Sequence, residues 1–237
     1  MPVGNLPGWT QIYTEDFLTP AALGQIGSAY SWDMRGYDNL TDTSGNGTYS
    51  PDQVLTAANS ILDYHLHTAG GRPRVACPIP MGYAGQTYGR YAIRFRSDVM
   101  PGYKIAFLLW PTSDDWNEGE IDWPEGELGE PMRPASARKG TYSNGTMQFD
   151  PATFVYTPTD STDWHIATTE WEPDVVKFYW DNVLLSQTSI PSGVPTTNFR
   201  WTLQAETSIQ QNPPNPSVSG HLQVDWIVAY AYNGGTP

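Results

Sequence analysis

Three carboxylates lie within six residues of the sequence, in the stretch GEIDWPE over residues 119–125. They are Glu120, Asp122 and Glu125. Carboxylates this close together disfavour one another's ionisation and so raise one another's pKa. Such a cluster suits a reaction that needs one carboxyl ionised and another protonated at the same pH. The spacing therefore indicates nucleophilic or acid–base catalysis.

The stretch reads as a β-strand with one inserted residue. In a regular strand Glu120 and Asp122 share a face and Glu125 takes the other face. A β-bulge supplies the extra residue that returns Glu125 to their face. Pro124 stands where the bulge is needed, and proline is tolerated in strands mainly at edges and bulges. We therefore expect three carboxylates on one face, with Ile121 and Trp123 on the opposite one.

Two simpler readings of the acidic segment are open at this point. Eight acidic residues lie between Asp114 and Glu130, and no basic residue occurs between Lys104 and Arg133. A solvated acidic loop would explain them. A calcium loop would need alternating Asp/Asn ligands, which are absent. The apolar residues that alternate with the acids favour a strand that displays a site.

The rest of the chain predicts an all-β protein, a two-sheet sandwich. Strand-length apolar runs, each flanked by turn residues, occur at 60–67, 88–95, 105–110, 175–180, 199–205 and 222–231. Asp181-Asn182 reads as a hairpin turn, and no segment has a convincing helical period. Residues 126–163 and 207–220 are rich in turn formers and predict long loops that wall a cleft.

The composition of the chain limits its domain number and the classes of partner that it can bind. The 237 residues contain 22 glycines and 21 prolines with no linker between them, so residues 1–237 predict a single domain. A net charge of −13 disfavours nucleic acid, anionic lipid and sulfated polysaccharide, and favours a neutral partner. Cys77 is alone and allows no intrachain disulfide.

The motif and its surroundings resemble glycoside hydrolase family 16. Residues 116–125 match the family signature in its bulged Glu-x-Asp-x-x-Glu form, as in the laminarinase-like branch. Further matches follow in the family's order: Glu15-Asp16-Phe17, Tyr88-Gly89-Arg90-Tyr91, Asp163-Trp164-His165, Glu170-Trp171, the Asp181-Asn182 hairpin and residues 224–228. The resemblance covers nearly the whole chain, with a core at about residues 9–232.

The resemblance implies both a fold and a mechanism. The expected fold is a concanavalin-like jelly roll with the carboxylates in a concave cleft. Glu120 matches the family's nucleophile, Asp122 its assisting residue and Glu125 its general acid/base. A retaining mechanism requires two carboxyls about 5–5.5 Å apart, which side chains of this short segment can reach. The residues alone do not decide which glutamate attacks.

Further residues are expected to bind the substrate. Trp116 matches a cleft tryptophan of the family, and Trp110 ends the preceding strand; both are expected to stack on sugar rings, with core packing as the alternative. Trp171 could line the wall or the core, and His165 could contact substrate or satisfy a core hydrogen bond. Gln204 and Glu206 share a strand face and are expected in the cleft.

One departure from the family pattern and two possible metal sites complete the site predictions. The family often has a histidine on the strand after the acid/base; residues 126–164 contain none, and Arg138 or Ser136 is expected to substitute. His65 and His67 have a spacing that metals can use, but no third ligand is evident, so we expect them to be polar residues that face the cleft. Asp225 matches a position that in the family often binds a structural calcium. No cofactor is expected to be required.

These observations lead to one principal hypothesis and several alternatives. The principal one is an endo-acting, retaining glycoside hydrolase that cleaves β-linked glucan at β-1,3 or mixed β-1,3/1,4 linkages. The alternatives are a non-catalytic carbohydrate-binding or virion-associated recognition module, a transglycosylase and a galactan hydrolase. We expect a monomer with a neutral polysaccharide partner and neither nucleic acid nor membrane. No signal-peptide core is present, so we expect an extracellular protein that lost its signal, or a virion-associated one.

Overall fold

The computed structural model of the protein describes residues 1–209 and 211–234 and is almost entirely β-structure. Its strands are β1 (Trp9–Glu15), β2 (Thr48–Tyr49), β3 (Leu55–Ala58), β4 (Ile61–Ala69), β5 (Arg72–Val75), β6 (Gly89–Ser97), β7 (Tyr103–Pro111), β8 (Glu120–Glu127), β9 (Arg133–Ala137), β10 (Phe149–Asp150), β11 (His165–Glu172), β12 (Val175–Trp180), β13 (Val183–Thr188), β14 (Phe199–Thr207) and β15 (Gly220–Tyr232). The helices of this part are single turns, α1 (Ile26–Ala29), α2 (Trp32–Arg35) and α3 (Pro51–Val54), with 3₁₀ turns at Trp116–Glu118 and Pro191–Gly193.

The strands of the described residues form two sheets, which confirms the predicted sandwich. The outer sheet has the order β13-β12-β11-β6-β15-β4-β5-β2, with β1 paired to β15 and β3 to β4. The inner sheet has the order β10-β9-β8-β7-β14. The motif strand β8 is therefore at the centre of the inner sheet, between β7 and β9.

Alternation along β7 shows how the inner sheet divides core from cleft. Ile105, Phe107 and Leu109 belong to the hydrophobic core between the sheets. Lys104, Ala106, Leu108 and Trp110 line a cavity on the opposite face. Because successive side chains of a strand alternate faces, one strand supplies both surfaces.

The hairpin turn between β12 and β13 lies where the sequence predicts it. Asp181 and Asn182 join β12 to β13 with φ of 49° and 66°, the left-handed values that a two-residue hairpin needs. The expected loop 126–163 is interrupted by β9 and β10, so it is less irregular than predicted. None of the described helices is long and apolar enough to cross a membrane.

Candidate active site

A bulge in β8 brings the three carboxylates to one face, as predicted. Asp122 pairs with Leu108 of β7 and Glu125 with Ala106, so two residues of β8 stand opposite Phe107 alone. The same shift occurs against β9. The two extra residues are Trp123 and Pro124, and the peptide bond between them is cis. Glu120, Asp122 and Glu125 consequently all line the cavity.

The other face of β8 anchors the strand. Ile121 is fully buried and Trp123 is 3% exposed, both within the core cluster. The indole nitrogen of Trp123 donates a hydrogen bond to the carbonyl of Tyr179, at 3.1 Å. A buried indole with its N–H satisfied holds its position well. The backbone under the carboxylates is therefore fixed from behind.

Glu120 and Asp122 are buried neighbours that resist simultaneous ionisation. The Trp116 indole nitrogen donates to Oε2 of Glu120 at 2.8 Å. Burial first, and then the charge of Glu125, raises the pKa of Glu120, while the Trp116 hydrogen bond opposes that rise. Burial, followed by the charges of Glu120 and Glu125, raises the pKa of Asp122 well above its ordinary value. The pair is therefore suited to sharing one proton.

Glu125 has a different environment from the other two carboxylates. Lys104 Nζ lies 2.8 Å from its Oε1, and Arg133 Nη2 lies 2.8 Å from its Oε2. The Lys104 ammonium also lies 3.4 Å from Oε1 of Glu206. Burial lowers the pKa of Lys104, but the charges of Glu125 and Glu206 outweigh burial and raise it. Lys104 therefore remains charged beside Glu125.

Glu206 connects this ion pair to the cleft wall. It is 1% exposed, and its Oε2 accepts hydrogen bonds from the backbone N–H of Thr43 at 3.2 Å and from Nε2 of Gln204 at 2.7 Å. Gln204 Nε2 also donates to the hydroxyl of Tyr49, at 2.8 Å. Both predicted residues, Gln204 and Glu206, line the cavity.

The cavity is large and has aromatic walls. Its volume is about 1230 Å³, above the roughly 300–1,000 Å³ typical of drug-sized ligand sites. Near Glu120, the rings of Trp110 and Trp116 lie 6.4 Å apart, and both line the cavity. Phe154 and Tyr156 also line the cavity. The cavity therefore combines aromatic faces with clustered carboxylates.

Sequence comparison assigns the family. The profile of the glycosyl hydrolases family 16 matches residues 46–227, most of the chain. The chain belongs to glycosyl hydrolase family 16. It is accordingly a glycoside hydrolase.

Solved structures share the fold of this family 16 chain. They include the laminarinase from Rhodothermus marinus, 19% identical over 97% of this chain and 100% of that one, with a TM-score of 0.76. The laminarinase from Flavobacterium sp. UMI-01 is 15% identical over 93% and 100%, with a TM-score of 0.74. The kappa-carrageenase from Zobellia galactanivorans is 15% identical over 95% and 96%, with a TM-score of 0.70. A search of curated proteins finds no match.

Trp171 and His165, which were predicted to bind substrate, lie outside the cavity of this family 16 fold. Trp171 is completely buried in the core, and its indole donates to the carbonyl of Pro195 at 3.0 Å. His165 pairs with Asp181 at 2.7 Å and stacks on the ring of Trp180, away from the cavity. The core alternatives are therefore correct for both Trp171 and His165.

Arg138 is also outside the cavity, so its predicted substitute role is wrong. Its guanidinium donates to Ser192 Oγ at 3.1 Å and to Gln148 Oε1 at 3.0 Å. Ser136 is fully buried, and its hydroxyl donates to the carbonyl of Gly193 at 2.5 Å. The arginine next to Glu125 is instead Arg133, the first residue of β9.

The weak metal signals gain no support. The Asp225 carboxylate forms an ion pair with the Arg94 guanidinium, whose positive charge opposes a calcium ion there. His65 and His67 are on the outer surface of β4 and stack in a row with His221, with ring centroids 4.7 and 5.0 Å apart. Stacked rings do not direct their nitrogens to one point. Among residues 1–209 and 211–234, no group of three potential ligands is arranged to hold a metal ion.

Proposed function

We propose that the protein is an endo-acting, retaining glycoside hydrolase that cleaves β-1,3 or mixed β-1,3/1,4 linkages of a neutral glucan. The observation that supports it best is the position of Glu120 and Glu125, which lie on one bulged strand within a single aromatic-walled cavity. Two carboxyls brought together on one face suit retention, for which a separation of about 5–5.5 Å is required. The cavity can hold more than one sugar unit, which favours cleavage inside a chain.

The proposed reaction is a double displacement. A carboxylate oxygen of Glu120 attacks the anomeric carbon, the bond to the leaving oxygen breaks, and Glu125 gives its proton to that oxygen. Water then attacks the anomeric carbon, the ester bond to Glu120 breaks, and Glu125 takes the proton released by the water. Asp122 shares a proton with Glu120 and keeps it oriented.

The cations of the cavity favour a neutral substrate over a sulfated galactan. Lys104 and Arg133 are paired with Glu125, and Arg200 pairs with Asp114 at 2.5 Å. A sulfate group would have to displace one of these carboxylates, at a cost in binding. The carrageenase that shares the fold makes a galactan the second candidate for substrate.

A polysaccharide panel tests the proposal. The protein is incubated with β-1,3-glucan, mixed-linkage glucan, unsulfated galactan and carrageenan, and products are sized while NMR follows the anomeric configuration at early times. We expect β-configured oligosaccharides of several lengths from the first two. Inverted products would contradict retention, and products only from a galactan would change the substrate. Products longer than the starting oligosaccharide would identify transglycosylation.

The proposed substrate also bears on where the protein acts. A polymer of this kind is encountered outside cells, so we propose an extracellular or virion-associated location. The described cleft obtains all its lining residues from one chain, and we propose that a monomer is the active form.

Replacing Trp116 with Phe should move the acid limb of the pH profile. The indole hydrogen bond stabilises the ionised form of Glu120, so its loss raises the pKa of Glu120 further. Because Glu120 must be ionised to attack, the acid limb of kcat/KM moves to higher pH. Trp110→Phe is the matched control, since that indole donates to Asp114. An acid limb that moves equally in both variants, or in neither, would contradict the assignment.

A further inference from the structure

Each oxygen of Glu125 is in contact with a cation. Lys104 engages Oε1 and Arg133 engages Oε2. Ammonium and guanidinium groups have no acceptor for a carboxyl proton. Each carboxyl oxygen keeps a second lone pair that can carry a proton, but the leaving oxygen of the sugar must also come within about 2.6–3.2 Å of one of these oxygens. While both contacts persist, a cation stands at each oxygen, so displacement of one cation opens Glu125 to the leaving oxygen before the glycosidic bond breaks.

Lys104 is the cation that is held in place. Its side chain is 9% exposed, and it lies between two carboxylates, those of Glu125 and Glu206. Glu206 is itself buried and fixed by Thr43 and Gln204. Moving Lys104 would leave buried charges unpaired, which is costly.

Arg133 is held less firmly than Lys104. Its side chain is 22% exposed, against 9% for Lys104. Its guanidinium carbon lies 3.7 Å from the ring centroid of Phe154, which is 39% exposed and lies outside the strands and helices. A guanidinium on an aromatic face retains a favourable contact after its carboxylate is lost. Arg133 can therefore leave Glu125 and still keep a favourable contact with Phe154.

We propose that Arg133 is a gate on the general acid. The leaving-side sugar displaces its guanidinium from Glu125, while Lys104 keeps the other oxygen in position. The inference rests on the proposed function, because it requires Glu125 to donate a proton. After displacement, Oε2 of Glu125 is free to hold the proton and to face the leaving oxygen. Arg133 is thus a positioning residue that acts through Glu125.

The cluster itself can supply the proton. Burial and neighbouring charge raise the pKa values of Glu120 and Asp122, so that this pair retains a proton in the free site. Once the guanidinium has left, Oε2 of Glu125 is open to accept that proton. A proton that passes from the pair to Glu125 leaves Glu120 ionised for attack, and the number of protons in the site is unchanged.

Arg133 begins β9 and Arg138 follows its last residue, and these two arginines allow a matched test. Arg133→Met removes the gate, while Arg138→Met makes the same change five residues along, at a guanidinium outside the cavity. Profiles of kcat/KM against pH are measured on the glucan that the wild type cleaves. Burial raises the pKa of Asp122 and the charge of Arg133 opposes that rise, so the alkaline limb of Arg133→Met should move up by about one pH unit or more. Arg138→Met should retain the wild-type profile.

A second pair of variants separates gating from simple substrate binding. Arg133→Lys retains a cation and should restore the wild-type alkaline limb. Lys104→Met should lower kcat about tenfold or more on the glucan, because Glu125 loses its orientation, and have much less effect on an aryl glycoside with an activated leaving group. If Arg133→Met raises KM at an unchanged pH profile, Arg133 binds substrate and the gate is refuted. If Arg133→Met does not fold, Arg133→Gln takes its place.

A structure with bound oligosaccharide measures the separation of Arg133 and Glu125 directly. In a crystal structure of Glu120→Gln with a bound β-glucan oligosaccharide, we expect Arg133 Nη2 to lie more than about 4 Å from Glu125, beyond ion-pair distance. A retained contact near 2.8 Å with a sugar on the leaving side would overturn the gate. Failure of the proposed function is distinguishable from failure of the gate, because the wild type would then release no product from any polysaccharide of the panel.

Discussion

Replacing Glu120 with Gln should reduce product release from β-1,3-glucan by roughly 10⁴-fold or more. The amide has nearly the same shape as the carboxylate, and its oxygen can still accept the hydrogen bond from Trp116. It lacks the negative charge and the nucleophilic oxygen that form the bond to the anomeric carbon. The rate of reducing-end release, followed together with substrate binding, measures the loss. Binding should persist because the cavity walls are unchanged.

The control for this prediction lies two residues earlier in the chain. Glu118 belongs to the 3₁₀ turn, contacts Ser113 and Thr197, and is not among the residues that line the cavity. Glu118→Gln makes the same chemical change and should retain nearly full activity. If Glu120→Gln keeps more than about a tenth of the wild-type rate, Glu120 is not the nucleophile.

The carboxylate arrangement was predictable because it depends on local rules. Side chains of a strand alternate between its two faces, and a bulge shifts that alternation, so the two together determine which face Glu125 takes. Pro124 marks the position of the bulge. The register of β8 against β7 agrees with that expectation. The turn at Asp181-Asn182 followed in the same way, from residues that tolerate positive φ.

The cations around Glu125 were not predicted, although part of the signal was present. Lys104 and Arg133 are the basic residues that bound the acidic stretch in the sequence, and both contact the same carboxylate. Alternation along β7 places Lys104 on the face of Trp110, so its presence in the cleft could have been inferred. Its partner could not, because pairing depends on how β7 and β9 align with β8.

The residues of β4 and β11 that were expected in the cleft are misplaced for one physical reason. Alternation indicates which side chains share a face, but not which sheet a strand joins. β11 belongs to the outer sheet, whose inner face is the core, so Trp171 is buried there instead of lining the cleft. His65 and His67 were expected to be polar cleft residues, but β4 belongs to the outer sheet and directs them outward. Residues on the inner-sheet strands β7, β8 and β14 reached the cavity.

Replacing Glu125 with Ala should slow cleavage by about 10²–10⁴-fold on glucan, whose leaving group needs a proton. The loss should be small for the first step on an aryl β-glycoside with an activated leaving group, because that group departs without protonation. The rate constants for a series of aryl leaving groups should therefore depend more steeply on leaving-group acidity in the variant than in the wild type. Glu127→Ala, the next acidic residue of the strand, is the control and should show the wild-type slope.

Added azide then distinguishes the two glutamates by product configuration. In Glu125→Ala, Glu120 still forms the covalent intermediate, and azide attacks it from the vacated face to give a β-glycosyl azide. In Glu120→Ala, azide replaces the carboxylate and displaces the leaving group in one step, so the product is the α-glycosyl azide. NMR of the anomeric proton separates the two products. The opposite pairing of variant and product would exchange the roles of Glu120 and Glu125, since only double displacement restores the original configuration.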